Sequence, residues 1–181
     1  MTARDRFDFD LDALPAKCPA LSEAFCRMIA EACAICLEEQ THMPGVVMEI
    51  QGLMDAETCV HWKSLSLGIA DTYADAEVAT EHGAIAIALL TVKAVTDYNV
   101  VRRSMKGTGF DYWLSRAGAP PYRHDARLEI SGLRAAGVRR LQARVRQKAR
   151  QTDRSDGVLP ALIAVVEFSH PISFLQRRAE L

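Results

Sequence analysis

The chain has 181 residues, 49% of them hydrophobic and 25% charged, with a formal net charge of −1. These proportions belong to a folded globular domain and exclude both a disordered chain and a generally basic nucleic-acid coat protein. No uncharged apolar run reaches the roughly eighteen residues of a membrane-crossing helix, and the acidic start lacks a basic-then-apolar leader, so neither a membrane span nor a secretory signal is expected.

The average hides an asymmetry. Asp5, Asp8, Asp10 and Asp12 crowd the first twelve positions, while eight Arg/Lys and a single acid, Asp153, lie between Arg134 and Arg154. Residues 1–14 read as a loosely docked acidic arm. Ser22 then offers an N-cap, and Phe25, Met28, Ile29, Cys33, Ile35 and Cys36 carry a helical apolar pattern to about Gln40. Met43-Pro44-Gly45 breaks it. Val46–Ile50 reads as a short strand, and the alternating Cys59–Leu67 stretch as its antiparallel partner.

A long helix is predicted from Tyr73 or Asp75 to Asp97. Its interior, Gly83 to Leu90, is apolar nearly all round, which predicts burial on two sides. Strands follow at Tyr98–Arg103, Phe110–Leu114 and Arg127–Ser131. A basic helix runs from about Arg134 to Thr152, with Val138, Leu141 and Val145 as its buried edge. Leu162–Phe168 is continuous, β-branched and short, the pattern of a buried strand. Phe174–Leu181 reads as a closing helical turn or two. Helix, hairpin, helix, three strands, helix and strand in that order give an α/β fold with a mixed, four- to six-stranded sheet flanked by helices.

Two carboxylates stand out. Asp111 and Glu129 each sit in a short apolar run read as a strand, and a carboxylate there is costly to bury without a cation or metal beside it. Two of them on consecutive strands can converge on one divalent ion. Mg²⁺ takes oxygen ligands, commonly one or two carboxylates with waters and substrate phosphates. The plainer alternative is ion pairing of these acids with Arg102, Arg103 or Arg127.

The element order and the residues together resemble the PD-(D/E)XK, restriction-endonuclease-like nuclease superfamily. The resemblance rests on Glu81 on a buried helix, the strand 98–103, G-x-G-F-D-Y around Asp111, L-E-I-S-G around Glu129, then a basic helix and an apolar strand. It covers about residues 75–170 and implies a nuclease-like core at 71–181, with residues 1–70 as an extension holding a helix and a hairpin, all one domain. It also implies that Asp111 and Glu129 bind Mg²⁺ or Mn²⁺, that Glu81 assists, and that the reaction is phosphodiester hydrolysis of DNA. The sequence departs from the pattern where the lysine two residues after Glu129 is expected: Ser131 stands there. Members that move this cation place it on a neighbouring helix or strand, which makes Lys148 and Gln151 the candidates, with Lys106 a third. If none reaches the site, the resemblance implies a catalytically inactive nuclease-fold protein acting as a DNA-binding or protein-interaction subunit. A bacterial restriction, repair or mobile-element setting follows from the resemblance only.

The basic helix suits a polyanion, since Lys and Arg contacts to phosphate dominate nucleic-acid affinity. Arg139, Arg140, Arg144 and Lys148, with Lys106 from the turn before Asp111, are the candidate DNA contacts. A solvated helix face is the alternative, weakened by the lack of compensating acids at helical spacing.

Five cysteines, an odd number weighted to the N-terminal third, fit reduced thiols in a cytoplasm. Cys33-x-x-Cys36 has no second ligand pair, and with Cys26 it falls on one apolar helical face, so these thiols read as core. His42, His61, His82, His124 and His170 are scattered without zinc-site spacing. Gly107-Thr108-Gly109 reads as a tight turn. The apolar helix 21–40 is a candidate homodimer contact, and the acidic arm a candidate mimic of nucleic-acid charge for a protein partner.

Overall fold

The computed structural model describes residues 5–66, 68–152 and 159–178. In chain order the elements are β1 (Asp5–Asp10), a 3₁₀ turn (Leu11–Ala13), α1 (Leu14–Lys17), α2 (Glu23–Glu38), β2 (Val46–Gly52), β3 (Ala56–His61) and α3 (Ile69–Thr72). Then come α4 (Ala76–Val95), β4 (Asn99–Arg103), β5 (Tyr112–Ser115), β6 (Ala126–Leu133), α5 (Gly137–Thr152), β7 (Ala161–Glu167) and β8 (Ile172–Arg177).

The fold is α/β, with one mixed sheet of eight strands in the order β1-β3-β2-β8-β7-β6-β5-β4. The four to six strands read from the sequence are therefore too few. Residues 1–14 are misread as an arm: β1 pairs in parallel with β3 from Asp5↔Ala56 to Asp10↔His61. Phe9, Leu11 and Leu14 are buried behind it. The alternating Phe7 and Phe9 were outweighed in the sequence by the aspartates around them, of which Asp8, Asp10 and Asp12 are exposed on the strand and the turn after it. At the other end, the predicted C-terminal helical turn is β8, which pairs antiparallel with β7 and parallel with β2. This strand joins the N-terminal hairpin to the rest of the sheet. The hairpin is real but shifted, with β3 ending at His61 rather than Leu67.

Helix α2 is capped as its sequence predicts: Ser22 Oγ accepts the Phe25 N–H at 3.3 Å. Asp75 caps α4 through the Glu77 and Val78 N–H groups. Helix α4 has the length and composition of a membrane-crossing segment, yet its residues 83–92 are all buried within the chain. One side packs on the sheet and the other on α2, and both approaches depend on glycine. A Cβ at Gly83 would lie 3.0 Å from the Cys33 Cα, and one at Gly132 of β6 would lie 2.5 Å from the Thr80 carbonyl oxygen. These contacts explain why the helix needs apolar residues all round. They also cover the apolar face of α2, the face read as a dimer contact, from within the same chain; Cys26, Cys33 and Cys36 are core residues there.

Strand alternation sorts the two faces of the sheet. Leu162, Ala164 and Val166 of β7 join the large core under α4, while Ile163 and Val165 join Leu133, Leu141, Val145 and Ile172 under α5. Helix α5 therefore lies on the face opposite α4, over β6 and β7. The consecutive buried residues of β7 meet a helix on each side, the situation that favours a continuous apolar strand.

Candidate functional site

Strands β5 and β6 pair only from Tyr112↔Leu128 to Leu114↔Ala126, after which β6 continues without β5 beside it. Asp111 stands at this divergence, directly before β5. Its backbone N–H donates to the Leu128 carbonyl at 2.8 Å, and its Oδ2 accepts the Ile130 N–H at 2.8 Å. The carboxylate thus takes the place of a ladder acceptor where the strands part. Asp111 is half-buried and faces the space this opening creates.

Glu129 follows Leu128 on β6. Leu128 and Ile130 point into the core under α4, so Glu129 points to the face covered by α5. It is only 2% exposed. Burial first, and the neighbouring Asp111 charge second, push its pKa up to about 7, against the opposing pull of Lys148. The Lys148 Nζ donates to Glu129 Oε1 at 2.6 Å. Helical spacing delivers this lysine. Leu141, Val145 and Lys148 stand at i, i+4 and i+7, so Lys148 continues the buried stripe of α5 onto β6.

Asp111 and Lys148 line a cleft of about 480 Å³ between the N-terminal half of α4 and α5, while Glu129 is buried outside its lining. Glu81 and His82 face it from α4, Arg103 from β4, Ser131 from β6, and Arg140 and Arg144 from α5. Arg140, Arg144 and Lys148 form one i, i+4, i+8 row along the edge of the buried stripe. The basic helix therefore commits a single row of cations to the cleft. Arg139 is exposed and lies outside the lining. So does Lys106, exposed on the turn before β5, where Gly107 and Gly109 take φ of 94° and 80°. The Gln151 side chain lies outside the described residues.

Sequence reasoning named Arg103 only as an ion-pair partner for the two acids, and passed over Arg134 as a cleft residue. Arg134 is held in the wall by an ion pair with Glu39 and by donation to Thr80 Oγ1 at 3.2 Å and the Ala76 carbonyl at 3.3 Å. Those partners belong to the end of α2 and the start of α4, so nothing near Arg134 in sequence announces the role. Of the aromatics flanking Asp111, Tyr112 is core, while Trp113 stacks on His124 with ring centroids 4.2 Å apart. Behind the cleft, the fully buried Glu167 at the end of β7 accepts N–H groups from Ala136, Ser169 and His170 and the Ser169 hydroxyl. It anchors the loop that leads into α5.

The donor set suits a hard divalent cation. Two carboxylates close enough to raise the pKa of one of them, Asp111 lining an open cleft and Glu129 buried beside it, offer the oxygen ligands that Mg²⁺ or Mn²⁺ takes. No protein-family model, curated protein or solved structure matches the chain.

Proposed function

We propose that the chain is a metal-dependent nuclease that hydrolyses phosphodiester bonds of DNA, built on a restriction-endonuclease-like core. The observation that carries this reading is the Lys148–Glu129 pair at 2.6 Å beside Asp111. A lysine from the following helix stands at the acid whose own strand carries Ser131 where a lysine is expected. The run α4, β4, β5, β6, α5, β7, with the aspartate entering the second strand and the glutamate on the third, supports the same core.

In this reading Asp111 and Glu129 hold Mg²⁺ or Mn²⁺. Such an ion supplies charge neutralisation at the scissile phosphate and a more acidic water. With Asp111 and Glu129 holding the ion, Lys148, whose Nζ stands at Glu129 Oε1, would supply the cation that orients the attacking water. Glu81 accepts a hydrogen bond from water in the cleft. Arg140, Arg144 and Arg103 receive the phosphate oxygens on either side, and their fixed charge is worth most in a recess shielded from bulk water. Arg139, outside the cleft, serves as a peripheral contact to the DNA backbone.

One observation favours a second reading. The Lys148 ammonium pairs with Glu129 and would compete with a metal for that carboxylate, which suits an inactive nuclease fold kept as a DNA-binding or protein-interaction subunit. Cleavage of supercoiled plasmid and of a labelled duplex, with Mg²⁺, with Mn²⁺ and with chelator, separates the two. Metal-dependent cleavage lost in Asp111→Asn and Glu129→Gln supports the nuclease; DNA binding with no cleavage under any metal supports the subunit.

A further inference from the structure

A different set of donors lies at the far edge of the sheet. We propose that Asp8, Cys59 and His61 form a zinc-binding site on the open face of the β1–β3 pair. The parallel register sets Asp8 directly beside Cys59, and His61 follows Cys59 two residues on along the same strand. Phe9 and Val60, their neighbours in sequence, are 3% and 0% exposed in the core under α2 and α4. Alternation therefore turns all three donors to the opposite face. Helix α5 covers β6 and β7 on that face, while at the β1–β3 end the His61 and Asp8 side chains are 50% and 83% exposed.

The geometry is near that of a site. One ligand atom from each residue lies within 4.8 Å of the others, and His61 Nε2 is 3.8 Å from Asp8 Oδ1. Donors of a tetrahedral zinc ion, at the usual Zn–S and Zn–N/O bond lengths, stand about 3.4–3.6 Å apart. Small χ rotations of exposed side chains close the difference. A thiolate, an imidazole and a carboxylate form a zinc set rather than a magnesium set. Three protein donors leave the fourth position to water. Binding displaces the thiol proton and ties the outermost strand, β1, to its one neighbour.

The experiment uses the untagged full-length chain, reduced and freed of metal, titrated with Co²⁺ and then Zn²⁺. One equivalent of Co²⁺ should produce a thiolate-to-cobalt charge-transfer band that Zn²⁺ abolishes. Cys59→Ser should lose the band, and His61→Ala should weaken binding by about tenfold or more. The Asp111→Asn/Glu129→Gln double variant should keep the thiolate-to-cobalt band and its saturation at one equivalent, whether or not those carboxylates bind an ion of their own, so the outcome is independent of the nuclease reading. Circular dichroism checks that each variant is folded. Absence of the band in the wild type, or its survival in folded Cys59→Ser, overturns the proposal.

Discussion

Lys148 Nζ donates to Glu129 Oε1 over 2.6 Å, joining residues nineteen positions apart across the crossover from β6 to α5. A cation two residues along the same strand would reach the carboxylate from β6 itself. Here the reach comes from a helix packed over the strand, so the position of the cation depends on the burial of Leu141 and Val145. Loosening that contact should disturb the site before it unfolds the domain. Leu141→Ala should lower stability by about 2–4 kcal/mol and also remove metal-dependent cleavage at temperatures where the chain is still folded. Activity that tracks only the folded fraction would separate the helix from the chemistry.

The Glu129 carboxyl gives the chain a signed pH dependence. Its pKa in the fold is raised to about 7, above the ordinary glutamate value. The folded chain therefore keeps this proton in a range where the unfolded chain has released it. The Glu129 contribution is neutral below the unfolded pKa. It then erodes stability as pH rises toward 7 and levels off above. Urea unfolding of the metal-free wild type should show this decline, and Glu129→Gln should lack it. Divalent metal should reverse the trend, because binding requires the carboxylate and releases the proton. Parallel pH–stability curves for wild type and Glu129→Gln would refute the assignment.

Charge on α5 should act by row. Arg140→Glu and Arg144→Glu should weaken DNA binding and flatten its salt dependence, each removed phosphate contact taking about one unit from the slope of log K against log salt. Arg139→Glu, on the exposed side, should have a smaller effect. Fluorescence anisotropy with a labelled duplex at several salt concentrations measures this. Equal losses at all three positions would mean that the helix contributes only its total charge.

The thiols should divide one against four. Cys18, Cys26, Cys33 and Cys36 are buried, and burial pushes the Cys18 thiol up to about 12 and the Cys36 thiol to about 11. Thiolate is the reactive form, so these four should be silent to a disulfide reagent near neutral pH. Cys59, half-buried on the open face of β3, should react at once. One fast equivalent that vanishes in Cys59→Ser, with four more on denaturation, is the expected count. Zn²⁺ protection of that fast equivalent would link it to the proposed site.

What the sequence made legible follows from how local each signal is. The cap at Ser22, the all-round apolar helix and the continuous β7 are written within one element, and all were readable; Asp75 was read only as a possible helix start. Lys148 was named beside Gln151 and Lys106 from the resemblance alone, although its spacing from Leu141 and Val145, within one helix, was there to separate them. The edge strand β1 and the inner strand β8 were missed because short segments take their identity from the neighbours they pair with, β1 from β3 and β8 from β2 and β7. The Asp8–Cys59–His61 grouping was hidden for the same reason: it exists only once β1 lies parallel to β3. Arg134 joins the cleft wall through partners on α2 and α4, far away in sequence.

The tightest packing in the site's scaffold gives a last expectation. Gly132, near the end of β6, lies against α4, and a Cβ there would stand 2.5 Å from the Thr80 carbonyl oxygen and 2.7 Å from Thr80 Cγ2. The carbonyl is backbone held in the helix and cannot swing aside, so Gly132→Ala must push α4 and β6 apart. Overpacking of this kind costs about 1–3 kcal/mol, occasionally more. The same movement widens the cleft that Glu81 and Ser131 line, and should weaken metal binding even in the folded fraction. Gly118 gives the control: a Cβ there meets nothing within 4 Å, so Gly118→Ala should change stability by no more than about 0.5 kcal/mol. Urea midpoints for the two variants, with metal affinity measured on the same samples, decide the matter. A Gly132→Ala chain as stable as Gly118→Ala would mean that α4 can slide on the sheet, and the cleft would then have no fixed width.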